Sequence, residues 1–218
     1  MKFFIDTAEI EEIKSLSEIG LVDGVTTNPS LIYKSGKDFK TVIKEISEII
    51  SGPISAEVTS TADSEMINQG IDLANIADNI VVKVPLTRNG LIACKELSAK
   101  KIKVNVTLCF SAAQALLAGK LGAAYISPFI GRLDDIGSTG LNLIKEIVNV
   151  YDIYKKDIKT EVLAASIRSP LQVTQVAQMG AHIATIPPKI ITQMIKHPLT
   201  DLGLESFMND WKKTGQKF

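Results

Sequence analysis

Lys83 lies inside Ile80-Val81-Val82-Lys83-Val84-Pro85, an otherwise apolar, β-branched run. Such a run reads as a strand buried on both faces. Burial disfavours the charged form of an amine, and a neutral amine is a nucleophile that can attack a carbonyl and form a Schiff base. The same run also allows a strand-end lysine whose ammonium snorkels into water. Other short apolar runs carry polar residues in or just after them. Asp6 and Thr7 follow Phe3-Phe4-Ile5, Asn28 follows Thr26-Thr27, and Glu57 stands between Ala56 and Val58. Asn105 and Thr107 alternate with valines, and Ser127 and Phe129 precede Arg132, while Ser166 and Arg168 follow Ala164-Ala165.

These residues need elements to bring them together. Eight β-rich runs recur along the chain: 3–7, 24–28, 54–59, 80–85, 103–108, 123–130, 161–166 and 182–187. Between them lie helical stripes. Ile10, Ile13, Leu16 and Ile19 form one, Val42, Ile43, Ile46, Ile49 and Ile50 a second, and Leu141, Ile144, Ile147, Val148 and Tyr151 a third. Caps are expected at Thr7, at Thr61 or Asp63, and at Ser111. Alternating strands and helices imply βαβ units and a parallel sheet. Eight such units predict an α/β fold, a closed (β/α)8 TIM barrel, with residues 1–218 forming one domain. The alternative is an open doubly wound sheet, which would want a glycine-rich phosphate loop after its first strand; Asp6-Thr7-Ala8-Glu9 is not one. Beyond the eighth run, Leu202, Leu204, Phe207, Met208 and Trp211 predict an additional C-terminal helix. Its apolar face can dock on a neighbouring subunit or pack on its own barrel.

In such a barrel, chemistry sits at the carboxyl ends of the strands. Side chains alternate between faces, so Asn105 and Thr107 share one face and point into the barrel, with the valines turned to the helices. Ser127 shares a face with Phe129, and Glu57 points inward by the same parity. Asp6, Glu57, Lys83, Asn105 and Thr107 would then replace the usual branched aliphatics. Isolated buried charges cost several kcal/mol unless paired, so the group is better explained by function than by packing. Arg132, Ser166 and Arg168 make a phosphate clamp of two guanidiniums and a hydroxyl. Either arginine could instead be engaged by Asp134, Asp135 or Glu161 at the surface. An amine nucleophile and a phosphate clamp on one mouth suggest a phosphorylated carbonyl substrate.

Composition narrows the partners. Lys+Arg and Asp+Glu number 24 each, for zero net charge, and no basic run exceeds Lys100-Lys101, which argues against nucleic acid or an anionic membrane surface. Cys94 and Cys109 form no CxxC pattern, and with two histidines no metal site is expected. Both cysteines read as small core hydrophobes of a reducing compartment. Asp6 interrupts the first apolar stretch too early for a signal peptide, and no uncharged run approaches transmembrane length, so a cytoplasmic location is expected. His182 and His197 are expected to be structural, at a strand start and a helix end.

Five ordered motifs carry a resemblance. Asp6-Thr7-Ala8, Gly24-Val25-Thr26-Thr27-Asn28-Pro29-Ser30, Val81-Val82-Lys83-Val84-Pro85, Ser127-Pro128-Phe129-Ile130-Gly131-Arg132 and Ala165-Ser166-Ile167-Arg168 resemble the transaldolases, in the compact branch that also contains the fructose-6-phosphate aldolases. The resemblance implies Schiff-base transfer of a dihydroxyacetone unit between sugar phosphates in the pentose phosphate pathway. Lys83 would attack the ketone of sedoheptulose 7-phosphate or fructose 6-phosphate. Asp6 would be the general acid/base at the hydroxyl whose deprotonation breaks the carbon–carbon bond. Glu57 and Thr107 would hold a proton-shuttling water, and Asn28 and Asn105 would bind substrate hydroxyls, with Ser127 nearby. Arg132, Ser166 and Arg168 would take the phosphate. No cofactor or metal would be needed, because the iminium of Lys83 is the electron sink. The aldolases of the branch carry Gln where this chain has Glu57 and Tyr where it has Phe129, so the resemblance implies transfer rather than release of free dihydroxyacetone. It also implies a homo-oligomer, pentameric or decameric. The rival readings are the aldolase itself, a lysine-linked pyridoxal phosphate protein and a catalytically silent sugar-phosphate binder.

Overall fold

A computed structural model describes residues 1–217. Eight parallel strands close into a barrel in sequential order, each paired with the next and the last with the first. They are β1 (Lys2–Asp6), β2 (Gly24–Thr26), β3 (Ile54–Glu57), β4 (Ile80–Pro85), β5 (Val104–Cys109), β6 (Tyr125–Pro128), β7 (Glu161–Ala164) and β8 (Ile183–Ile186). β2, β3 and β7 each end two residues before the predicted run, at the carboxyl end, where the chain leaves the sheet to build the mouth; β6 is two residues shorter at each end. Asn28 leaves β2 to cap a helix, and Ile130 already belongs to one. Ser166, at φ 61°, turns the chain out of β7.

Helices α1 (Ile10–Glu18), α3 (Phe39–Ile49), α4 (Asp63–Ala74), α5 (Arg88–Ala99), α6 (Ala112–Lys120), α8 (Gly140–Ile153), α9 (Pro170–Gln178) and α10 (Pro188–Ile195) ring the barrel. Two short helices, α2 (Pro29–Ser35) and α7 (Ile130–Asp135), are inserted at the mouth after β2 and β6. The predicted stripes are largely buried, with Ile13, Ile43, Ile46, Ile144 and Ile147 wholly so. Ile19 is an exception: it is the C-cap of α1 and is exposed. The expected cap at Ser111 accepts from the Gln114 amide. The helix after β3 opens at Asp63, but its N-cap is Ala62 and it has no side-chain cap, and Glu9 precedes α1, with Thr7 Oγ1 accepting its amide hydrogen.

Two apolar clusters hold the fold. The larger lies between barrel and helices. The smaller fills the barrel itself, with Phe4, Val81, Tyr125, Leu163 and Ile183 at its lower level. Phe4 and Tyr125 meet edge to face, with centroids 6.0 Å apart. At Gly24 a Cβ would lie 2.6 Å from the Phe4 ring and from the Pro53 carbonyl oxygen, so β2 packs here only as glycine.

Finally, α11 (Pro198–Thr214) carries no buried residue. Leu202, Leu204 and Phe207 are 60–75 % exposed. The chain's own barrel therefore does not cover this face, contrary to one of the two sequence readings. Both histidines are structural, as expected: His182 Nδ1 accepts from the Val162 amide, and His197 caps the start of α11 rather than ending a helix.

Candidate active site

Parity does most of the assembly. Inward positions two residues above the apolar lower level are Asp6 above Phe4, Lys83 above Val81 and Ser127 above Tyr125. Glu57 and Lys83 are register partners on β3 and β4, and Lys83 and Asn105 on β4 and β5, so neighbouring strands set these groups side by side.

Lys83 is 5 % exposed. Its Nζ lies 3.0 Å from Glu57 Oε2 and donates to the Thr27 carbonyl at 3.0 Å. The sequence suggested an amine among aliphatics; the fold supplies it with a carboxylate and a backbone acceptor. Snorkelling is excluded by this burial. Asp6 Oδ1 accepts from Thr26 Oγ1 at 2.9 Å. Burial pushes the Asp6 carboxyl above the usual carboxylate range, helped by nearby Glu57 and opposed by Lys83 and the Thr26 hydrogen bond. Thr107 Oγ1 is buried and has no hydrogen-bond partner among the described residues. An orphaned buried hydroxyl facing a cavity suits a water or a substrate oxygen.

Asp6, Glu57, Lys83 and Thr107 all line one cavity at the carboxyl ends of the strands, about 570 Å³ in volume. Asn28, Ser127, Phe129, Arg132, Ser166 and Arg168 line it too. Asn105 does not. It is wholly buried one step deeper, where its Nδ2 donates to Ser55 Oγ at 3.1 Å and its Oδ1 accepts from Ser127 Oγ at 2.7 Å. Parity correctly turned Asn105 inward; depth along the strand, which parity does not give, placed it beneath the cavity floor.

Asn28 has a second role as the N-cap of α2, accepting from the Leu31 amide at 3.0 Å. At the opposite wall, Arg132 sits over the Phe129 ring, 5.0 Å from its centroid. Arg168 forms a two-point ion pair with Asp135, its second bond at 2.6 Å. One of the surface pairings weighed from sequence is therefore present, although Arg168 still borders the cavity. That pairing holds the Asp135 carboxyl below its usual range. Gly131 lets this wall close: a Cβ there would lie 2.3 Å from the Ser166 carbonyl oxygen and 2.7 Å from Arg168 Nε. Ser166 (φ 61°) and Leu108 (φ 60°) are left-handed non-glycine residues on the same rim, the kind of backbone cost that clusters at functional sites.

Sequence reasoning missed Thr185, Ser55, Ser30 and Lys34. Thr185 is buried on β8 and lines the cavity; its signal was the same inward parity, within Ile183-Ala184-Thr185-Ile186. Ser30 and Lys34 reach the mouth only because α2 lies across it.

The site is thus a buried lysine paired with a carboxylate at the mouth of a (β/α)8 barrel. Residues 3–218 match the family model described as Transaldolase/Fructose-6-phosphate aldolase, and the chain belongs to that family. It is 58 % identical over 216 residues to a probable transaldolase of Rhodospirillum centenum, covering 99 % of this chain and 93 % of the relative. Probable transaldolases of Chelativorans sp. (59 %, covering 100 % and 99 %) and Clostridium acetobutylicum (56 %, covering 100 % of each) match over 217 residues. The thiamine phosphate pyrophosphorylase of Pyrococcus furiosus aligns with a TM-score of 0.57 and 17 % identity over 88 % of this chain and 93 % of that one. That likeness is one of fold alone.

Proposed function

We propose that this enzyme is a transaldolase, the activity for which its full-length relatives are named, and that it moves a dihydroxyacetone unit from sedoheptulose 7-phosphate to glyceraldehyde 3-phosphate through a Schiff base on Lys83. The supporting observation is the buried Lys83 Nζ, 3.0 Å from Glu57 and sharing one cavity with Asp6 and Thr107. Glu57 accepts the proton that the ammonium must lose, and the freed amine attacks the substrate ketone carbon. Glu57 and Thr107 hold the water that carries protons as the carbinolamine expels hydroxide as water. Asp6 then removes the proton of the hydroxyl next to the scissile bond. The carbon–carbon bond breaks, its electron pair moves into the iminium to give an enamine, and erythrose 4-phosphate leaves. The acceptor aldehyde is attacked by the enamine, Asp6 returns the proton, and water releases fructose 6-phosphate from Lys83.

Asn28 and Ser127 contact hydroxyls of the dihydroxyacetone unit. Asn105 holds Ser127 from below and keeps one amide hydrogen beyond its bond to Ser55. Arg132, Ser166 and Arg168 receive the phosphate, with Arg168 exchanging Asp135 for the new anion. Phe129 brings no hydroxyl to the cavity, which favours retention of the enamine over release of free dihydroxyacetone. The exposed apolar face of α11 supports a homo-oligomer, pentameric or decameric, in which that face docks on a neighbouring subunit; sedimentation of the full chain and of a chain ending at Lys196 tests this. A cytoplasmic enzyme of the pentose phosphate pathway is consistent with these assignments.

Borohydride reduction with fructose 6-phosphate, followed by peptide mass mapping, tests the reading. A reduced dihydroxyacetone adduct on Lys83 is expected. No adduct under turnover conditions refutes the Schiff-base route, and rapid release of free dihydroxyacetone without an acceptor would favour the aldolase.

A further inference from the structure

Two threonines flank β1 on adjacent strands, Thr26 on β2 and Thr185 on β8, and both are 3 % exposed. Their hydroxyl oxygens are 2.5 Å apart, and Thr26 Oγ1 lies 2.9 Å from Asp6 Oδ1. A threonine hydroxyl has one proton to give. An ionised carboxylate only accepts, so the Thr26 proton goes to Asp6, and the short Thr26–Thr185 contact must be made by the Thr185 proton. The direction of the chain follows: Thr185 donates to Thr26, and Thr26 donates to Asp6.

We propose that Thr185 is a positioning residue for Asp6, acting through Thr26 to tie one carboxylate oxygen to the barrel wall and leave the other aimed at the substrate. This rests on the reading of Asp6 as the acid/base in the preceding subsection. A hydroxyl that accepts a hydrogen bond is a stronger donor in its own, so Thr185 also strengthens the Thr26 bond that favours ionised Asp6. The charged groups near Asp6 are Lys83 from β4 and Glu57 from β3. The flanking strands β2 and β8 contribute hydroxyls, which orient the carboxylate without neutralising it. The lower-level residues Phe4 and Ile183 support the arrangement from beneath and offer no polar group.

The role predicts a particular pattern of loss. Thr185→Val keeps the volume and removes the donor; Thr185→Ser keeps the donor and removes a methyl. With Thr185→Val, kcat should fall about 3- to 10-fold, the value of one hydrogen bond. KM should move little, because Thr185 sets the orientation of a reacting group. The acidic limb of the kcat–pH profile should move to higher pH, since Asp6 loses support for its charged form. Thr185→Ser should restore both kcat and the limb. Borohydride trapping on Lys83 should proceed in Thr185→Val as in the wild type, because amine attack precedes the step Asp6 serves. Should Thr185→Val fail to fold, Thr185→Ala reads the same loss of donor. Wild-type kcat and acidic limb in a folded Thr185→Val or Thr185→Ala protein, with trapping intact, would overturn this inference alone, as would equal losses in Val and Ser. A wild-type enzyme that yields no adduct would remove the Schiff-base reading and this inference with it.

Discussion

The barrel interior contains two levels built by the same strands and the same parity, with opposite chemistry. Below, Phe4, Val81, Tyr125, Leu163 and Ile183 form a dry plug. Above, the next inward residues include Asp6, Lys83, Ser127 and Thr185, facing a cavity of about 570 Å³. The lower level converts burial into stability and anchors the strands. The upper level spends stability to hold ionisable groups out of water, and it keeps them tolerable by pairing Lys83 with Glu57 and Thr27 and Asp6 with Thr26. A rise of two residues along a strand, roughly 6–7 Å, separates scaffold from chemistry.

Breaking the upper level should destroy turnover while leaving the fold. Lys83→Met is expected to lower kcat by roughly 10⁴-fold or more and to abolish the borohydride adduct, with the circular dichroism spectrum unchanged. Wild-type turnover in that variant would end the assignment. Asp6→Asn should cost about 10²–10⁴-fold in kcat but still form the adduct.

The same variant sharpens the contrast through stability. The native-state pKa of Asp6 is raised, so its favourable contribution is full below the unfolded-state value and is lost as pH rises through the native one. Asp6→Asn should therefore raise Tm relative to wild type at pH 7, and by less at pH 4. A lower Tm at pH 7 would mean that the carboxylate is a net structural asset.

At the cavity rim, Arg132→Ala should raise KM about 10- to 100-fold for phosphorylated substrates, the loss of a charge-assisted contact, and should hardly affect an unphosphorylated ketose. Equal effects on both would move the phosphate elsewhere. Glu57→Gln combined with Phe129→Tyr should shift the product ratio towards free dihydroxyacetone; an unchanged ratio would break the proposed link between these residues and transfer. In the plug, Ile183→Val should cost about 0.5–1.5 kcal/mol in denaturant unfolding with kcat per folded molecule preserved. A large loss of kcat there would mean that the two levels are not separable.

Legibility from sequence followed the range of the interactions. Eight strands, the helical stripes and the inward direction of Glu57, Asn105 and Thr107 were readable, because period-two and period-3.6 patterns are local consequences of backbone geometry. Strand ends were overextended at β2, β3, β6 and β7, since the residues after them remain apolar or β-branched while Asn28 caps α2 and Ile130 opens α7. The inserted helices were missed for the same reason, and with them Ser30 and Lys34.

By itself the sequence determined the alternation that closes a barrel, the parity that turns Lys83, Asp6 and Glu57 inward, and the five motifs that mark the family. Only the tertiary structure decided depth and partnership: that Asn105 lies beneath the cavity, that Lys83 meets Glu57, that Arg168 holds Asp135, that Thr185 reaches Thr26, and that α11 stands uncovered by its own barrel. The physical reason is that a side chain's direction is set by its own backbone, whereas its neighbours are set by the register and closure of strands far apart in the chain.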